Sequence, residues 1–307
     1  MNSFIRIIET ALPVLLALAI GMLCRKKQFL SRDGVDTLKK VVVNITLPAV
    51  LVNAFATSQY SGAALVIPVI MFLLCCAGLF LGKLLAKLLR LPGRLSPFLA
   101  SGFEAGMLGY ALFSLLYPSD STAQFAILDL GQVLFVFTLY KGLLSGRQGR
   151  KALVKEAVTS PVLWAIFAGV LLGATGLYAA MGRIGISGIL DSVTGFVSAP
   201  TGMIILLTVG YDLVPEEIPW KETFRFILLR LIVMAVLLLV LLGLNRTVLH
   251  GAVHKGAAIL MFLLPPPYVL PVFADEPSQR VQISAALSAL TLVSLVLFAF
   301  LSVGLAL

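Results

Sequence analysis

Charge is scarce in this sequence. Only 12% of its 307 residues are Asp, Glu, Lys or Arg, about half the share typical of a soluble domain. That excludes an ordinary water-facing shell, and no polar stretch is long enough to fold as a separate soluble domain, so residues 1–307 are expected to form one unit. Histidine (two) and cysteine (three) are nearly absent. His250 and His254 stand four apart, but with no acid or cysteine nearby they make a poor metal site. Cys24, Cys75 and Cys76 lie in apolar runs with neither disulfide nor metal spacing, and read as small apolar fillers. No nucleotide fingerprint or nucleophile motif is present, and Gly102 to Gly109 lacks the Lys-Ser/Thr of a phosphate loop. No cofactor, ATP site or enzymatic chemistry is expected, since an enzyme needs paired catalytic groups.

Apolar residues take the vacant place. They make up 60% of the chain, with a mean hydropathy of +1.05. A bilayer-crossing helix needs about 20 mostly apolar residues. Ten stretches qualify: 4–24, 38–57, 63–84, 96–117, 121–141, 159–180, 186–210, 223–244, 255–274 and 281–304. The first is followed by Arg25-Lys26-Lys27 and not by a cleavage site, which suits a retained helix. Eighteen of the 23 Lys and Arg fall in the odd-numbered connectors and four on the opposite side. Basic residues stay on the cytoplasmic side, so both termini are expected to face outward. The same segregation accounts for the net charge of +9 without nucleic acid as a partner.

The longest polar break, Ser145 to Glu156, leaves five spans on each side. Halves with an odd number of spans, if related, lie inverted in the membrane, as 1–145 and 157–307 would here. Such repeats recur in secondary transporters that bind solute where helices are interrupted. Thr46-Leu47-Pro48-Ala49 in span two answers Ser198-Ala199-Pro200-Thr201 in span seven. Pro48 and Pro200 each remove a helical donor, freeing the carbonyls of Asn44 and Phe196.

Span four reads Ser101-Gly102-Phe103-Glu104-Ala105-Gly106-Met107-Leu108-Gly109-Tyr110. Three glycines weaken the helix, and Glu104 lies roughly 12 Å deep at helical rise. An acid at that depth costs about 2–3 kcal/mol and suits reversible protonation. The competing reading is a static pair with a base such as Arg230, or an acid kept protonated. Arg230 itself, about 9 Å from the end of its span, reads as a snorkelling residue. In span nine, Pro265, Pro266 and Pro267 free the carbonyls of Met261, Phe262 and Leu263, which must line protein or a hydrated cavity. Asp129 and Gln132 share a helical face, with Asp129 either a solvated charge near the outer end or a coupling group.

These pieces in their order resemble the auxin efflux carrier family of membrane transporters, in its bacterial branch. The resemblance rests on Leu12-Pro13-Val14-Leu15-Leu16 to Gly21, Thr46 to Ala49, Gly106 to Gly109, Pro200 leading to Thr208-Val209-Gly210-Tyr211-Asp212-Leu213, and the prolines of span nine. It implies an all-α fold of ten helices in a five-plus-five inverted repeat, similar to sodium–proton antiporters and bile-acid transporters. It further implies that spans four and nine are broken and cross, that substrate binds at the crossing, and that the carrier is a homodimer. Family substrates are organic anions such as auxin, malate or malonate. One departure stands out: Glu104 replaces the usual asparagine and Ala111 the usual proline. The expected function is therefore a secondary carrier of a small carboxylate in the plasma membrane, with proton symport reconciling Glu104 with an anion. Its expected site is Glu104, Gly106, Gly109, Tyr110, Pro265, Pro266, Pro267 and Tyr268, with Asp129 as a second coupling group. A facilitative uniporter, a channel and a non-transporting receptor are the alternatives.

Overall fold

The computed structural model describes residues 3–58, 60, 62–117, 122–145, 154–155, 158–213, 215, 218–273 and 276–306. Helices follow the apolar runs: α1 Ser3–Lys26, α2 Arg32–Ala56, α3 Gly62–Leu88, α4 Ala105–Leu116, α5 Thr122–Leu144, α6 Pro161–Ala174, α7 Leu177–Arg183, α8 Ser187–Ser198, α9 Thr201–Asp212, α10 Trp220–Thr247, α11 Lys255–Leu263 and α12 Pro277–Ala306. Among the described residues, six helical stretches, in α2, α3, α5, α8 with α9, α10 and α12, are long and apolar enough to cross a bilayer, or seven if α6 and α7, bent by 64°, form one span. The chain is a multi-pass integral membrane protein. The polar break at Ser145–Glu156 lies mostly outside the described residues, as do Gln59 and Ser61 between spans two and three.

Local chemistry sets the ends. Ser31 caps α2 by accepting the Gly34 N–H at 3.1 Å, so α2 starts six residues before the expected 38. Ser160 caps α6 ahead of Pro161, whose missing N–H costs nothing at the first helical position. Within α2, Val42–Thr46 is a π turn, and the Leu47 N–H reaches the Val42 carbonyl. The register shift lets Pro48 begin the second half of α2 without a break in the helix. At Pro200 the chain instead makes a turn between α8 and α9.

The apolar faces meet in one large core with a small satellite at Cys24, Val35 and Tyr211, while many large apolar side chains on the outside remain exposed, as lipid requires. α1 packs on α9, and α6 on the second half of α2. Both contacts are close because glycine is there: a Cβ at Gly21 would strike the Leu207 carbonyl, and one at Gly169 would lie 2.7 Å from the Phe55 Cβ. α3 packs on α5 and α10, and α10 on α11 and α12. At the basic end, Asp212 at the close of α9 pairs with Arg32 at 2.6 Å and Lys39 at 2.5 Å on α2.

Candidate functional site

Two of the expected spans are interrupted, and the interruptions meet. The first runs as a short 3-10 helix, Ser96–Ala100, then an extended stretch, then α4. No proline makes this break. Gly102 does, with φ +70°, a left-handed conformation that side chains avoid. The Glu104 carboxylate then restarts the helix by accepting the Met107 N–H at 3.2 Å. In the second interruption α11 stops at Leu263, and Leu264 is extended (ψ 151°), as a residue before proline must be. Pro265, Pro266 and Pro267 carry the chain onward, all buried and so screened from lipid.

The crossing is held at both electrical ends. The Glu104 N–H donates to the Pro265 carbonyl at 2.8 Å, and the second Glu104 carboxylate oxygen accepts the Tyr268 N–H at 2.6 Å. One side chain thus satisfies N–H groups at the restart of each segment. Arg230 does the converse. Its guanidinium donates to the Leu99 carbonyl at 2.7 Å, Gly102 at 2.9 Å and Leu264 at 2.7 and 3.1 Å. Those carbonyls close the first halves of both segments, where helices leave acceptors unpaired and favour positive charge. The snorkelling reading of Arg230 is therefore corrected: it is 2% exposed and points into the protein. The carbonyls in use also differ from those expected. Leu264 and Pro265 carry the crossing, whereas Met261 accepts the Leu264 N–H.

Around this point the expected site residues gather. Gly102 faces Pro267, leaving only 3.0 Å between that ring and the place of a Cβ. Gly109 leaves room for Leu264 and Phe125, each 2.7 Å from the place of its Cβ. Gly106 lines a cavity of about 410 Å³ with Glu104, Asp129, Gln132, Lys141 and Pro267. Tyr110 is buried and donates to Asp129 at 3.1 Å, and the Gln132 amide donates to the other Asp129 oxygen at 3.1 Å. Asp129 is 3% exposed, so it is not a solvated charge near a loop. The Tyr268 hydroxyl lies 3.1 Å from Thr291 Oγ1. Pro48 and Pro200 lie at the starts of second helical halves. His254 is occupied as a helix cap, its Nδ1 accepting the Ala257 N–H at 3.0 Å.

Two more cavities flank the crossing. One of about 550 Å³ is lined by Arg32, Lys39, Asp212, Met107 and Tyr268. The other, about 930 Å³, is lined by Asn53, Tyr110, Tyr178, Asp191, Ser198 and Thr201. Thr122 at the start of α5 lines the largest cavity and Lys141 near its end the smallest. The two therefore lie toward opposite ends of that helix, and Tyr110 borders both. Sequence reasoning missed Lys141 as part of this site and offered Arg230 only as a candidate static partner of Glu104, whereas its partners are the Leu99, Gly102 and Leu264 carbonyls. The signal for Arg230 was its isolation as the lone charge between Phe226 and Asn245.

A sequence model of a family described as membrane transport protein matches residues 6–303. The chain belongs to this family, the auxin efflux carriers. It is also 27% identical over 217 residues to an uncharacterized transporter of Methanothermobacter thermautotrophicus, covering 67% of each chain. Against the auxin efflux carrier pattern, the interruption of span four survives the loss of proline at Ala111 because Gly102 makes it. The glutamate that replaces asparagine becomes the cap of both restarting segments.

Proposed function

We propose that this family member is a secondary active transporter that moves a small carboxylate such as malate, malonate or an auxin-like acid across the plasma membrane by alternating access. The observation that carries the reading is the pair of interrupted segments bonded to each other at Glu104 and Pro265 beside a cavity. Interrupted helices at membrane depth recur where transporters bind solute. Anionic solute is supported by the approach at the basic end: Arg32 and Lys39 share the single acid Asp212 and leave one cavity net positive, while Lys141 lines the other beside Glu104 and Asp129. Tyr110, bordering the cavities toward either end, is suited to divide inward from outward access.

Ten crossings follow if α1, the bent α6–α7 pair and the two interrupted segments are added to the six long helical stretches. The inverted repeat is supported by reciprocal packing. α1 lies on the second half of span seven, and α6, the first helix of the second repeat, lies on the second half of span two. Both termini face outward in this arrangement, the carrier is a homodimer, and proton symport couples through Glu104 with Asp129 beside it. Currents from proteoliposomes on a solid-supported membrane test the function, using mono- and dicarboxylates, amines and neutral solutes at two pH values. Saturable current and counterflow with a carboxylate, larger under an inward proton gradient, are expected. Flux without saturation would instead indicate a channel, and binding without flux a receptor.

A further inference from the structure

Glu104 occupies a place built for a carboxylate that need not be its own. Its two oxygens accept N–H groups from two separate segments, Met107 on α4 and Tyr268 after the prolines. Backbone donors at the start of a segment have no acceptor within it, and together they form a concave anion site. The side chain is only partly buried and lines the 410 Å³ cavity, so these donors are held by a group that faces the space a solute enters. A second observation lies on the same wall. Gln132 is 5% exposed, and its Oε1 has no hydrogen-bond partner among the described residues. A buried acceptor left unpaired is costly, and this one belongs to a residue that lines the cavity Glu104 faces.

The geometry points to Glu104 as a tethered stand-in for the solute's carboxylate: an incoming carboxylate takes over the Met107 and Tyr268 N–H groups, and Glu104 leaves them carrying a proton. This rests on the carboxylate-carrier reading and gives it a coupling rule. Two ionised carboxylates do not share one pair of donors in a poorly solvated site. Glu104 therefore takes one proton from water for each solute carboxylate that occupies these donors. The charge on the donor pair itself is unchanged, and any second carboxylate of the solute keeps its charge. The protonated carboxyl becomes a donor, and Gln132, a residue of the same cavity, holds a buried acceptor that is unsatisfied among the described residues. The surrounding groups do not remove the conflict between two anions. Asp129 on α5 adds negative charge, held by Tyr110 and Gln132. Arg230 on α10 is bonded to three carbonyls, Lys141 lies over the Phe137 ring, and the Tyr268 phenol faces Thr291.

The test uses the full-length protein in lipid nanodiscs with malate as probe, from about pH 8 to about pH 6, where malate itself stays largely ionised. Wild-type affinity, followed by tryptophan fluorescence, is expected to rise as pH falls, by up to about tenfold per pH unit, one proton accompanying each anion. Glu104→Gln should flatten that slope and bind malate more tightly at pH 8. In Glu104→Ala, added acetate should raise the unfolding temperature saturably and by more than in wild type, where it must first displace Glu104. A flat wild-type slope, an unchanged slope in Glu104→Gln, or an acetate effect on Glu104→Ala no larger than in wild type overturns the stand-in while leaving carboxylate transport standing. Silence toward malate in every variant, with an amine response lost in Glu104→Gln, overturns the carboxylate reading itself.

Discussion

Arg230 and Glu104 satisfy opposite ends of the same two interrupted segments, and they do so differently. Arg230 is buried, and its guanidinium makes four hydrogen bonds to three carbonyls. Glu104 makes two, to N–H groups, and faces a cavity. The arginine fork has no vacant side from which a solute might replace it, whereas each Glu104 contact reproduces what a free carboxylate makes. One end of the crossing is thus fixed and the other exchangeable. A solute site in a bilayer needs both, because unpaired backbone groups are tolerated there only while something satisfies them.

Removing the fixed end should have the largest effect. Arg230→Met leaves the Leu99, Gly102 and Leu264 carbonyls buried without donors, and a loss of about 3 kcal/mol or more is expected. Glu104→Gln keeps an acceptor oxygen for one of two N–H groups and should cost roughly 1 kcal/mol. Unfolding of the purified variants in detergent compares them directly. Equal losses would erase the distinction between the two ends.

The break itself comes next. Gly102→Ala places a side chain in a left-handed conformation and against Pro267, and a cost of about 2 kcal/mol is expected. Because Gly102 also offers a carbonyl to Arg230, part of that loss should vanish in the Arg230→Met background. A double-mutant cycle reads the overlap, and strict additivity would separate the glycine from the arginine.

Much of this was legible in the sequence. The apolar runs mark the helices, and the proline triplet marks the second interruption, because proline acts through its own missing N–H. The first interruption was harder to read. With Ala111 where the family pattern has proline, only the glycines hinted at a break, and which glycine turns left-handed depends on its neighbours. Glu104 stood out because an acid at that depth needs a reason. Arg230 was misread because depth along a helix says nothing about which face a side chain takes, and its partners lie 34 and up to 131 residues away. The solvated-charge reading of Asp129 failed for a similar reason: proximity to the end of a span does not imply water when Tyr110 and Gln132 close over it.

Asp129→Asn sharpens the comparison on the exchangeable side. The substitution removes a charge beside Glu104 while keeping the oxygen that Tyr110 bonds. If Glu104 alone exchanges its proton with the solute, carboxylate transport should fall by less than about tenfold, which is about 1.4 kcal/mol in the barrier, and its pH dependence should persist. Loss of the pH dependence would make the two acids one coupled unit.

The smallest effect is expected at the far end of α5. Asp191 lines the 930 Å³ cavity and accepts from the Tyr178 hydroxyl at 2.9 Å and the Asn53 amide at 3.0 Å. These donors hold its charge without a solute, and the residue lies on the other side of Tyr110 from Lys141. Asp191→Asn should therefore change malate affinity by less than about twofold, a coupling of under roughly 0.4 kcal/mol. A tenfold gain would mean that this carboxylate repels the bound solute, moving the binding position from the crossing to the larger cavity. Glu104 would then be a cap with no vacancy to yield, as fixed as Arg230.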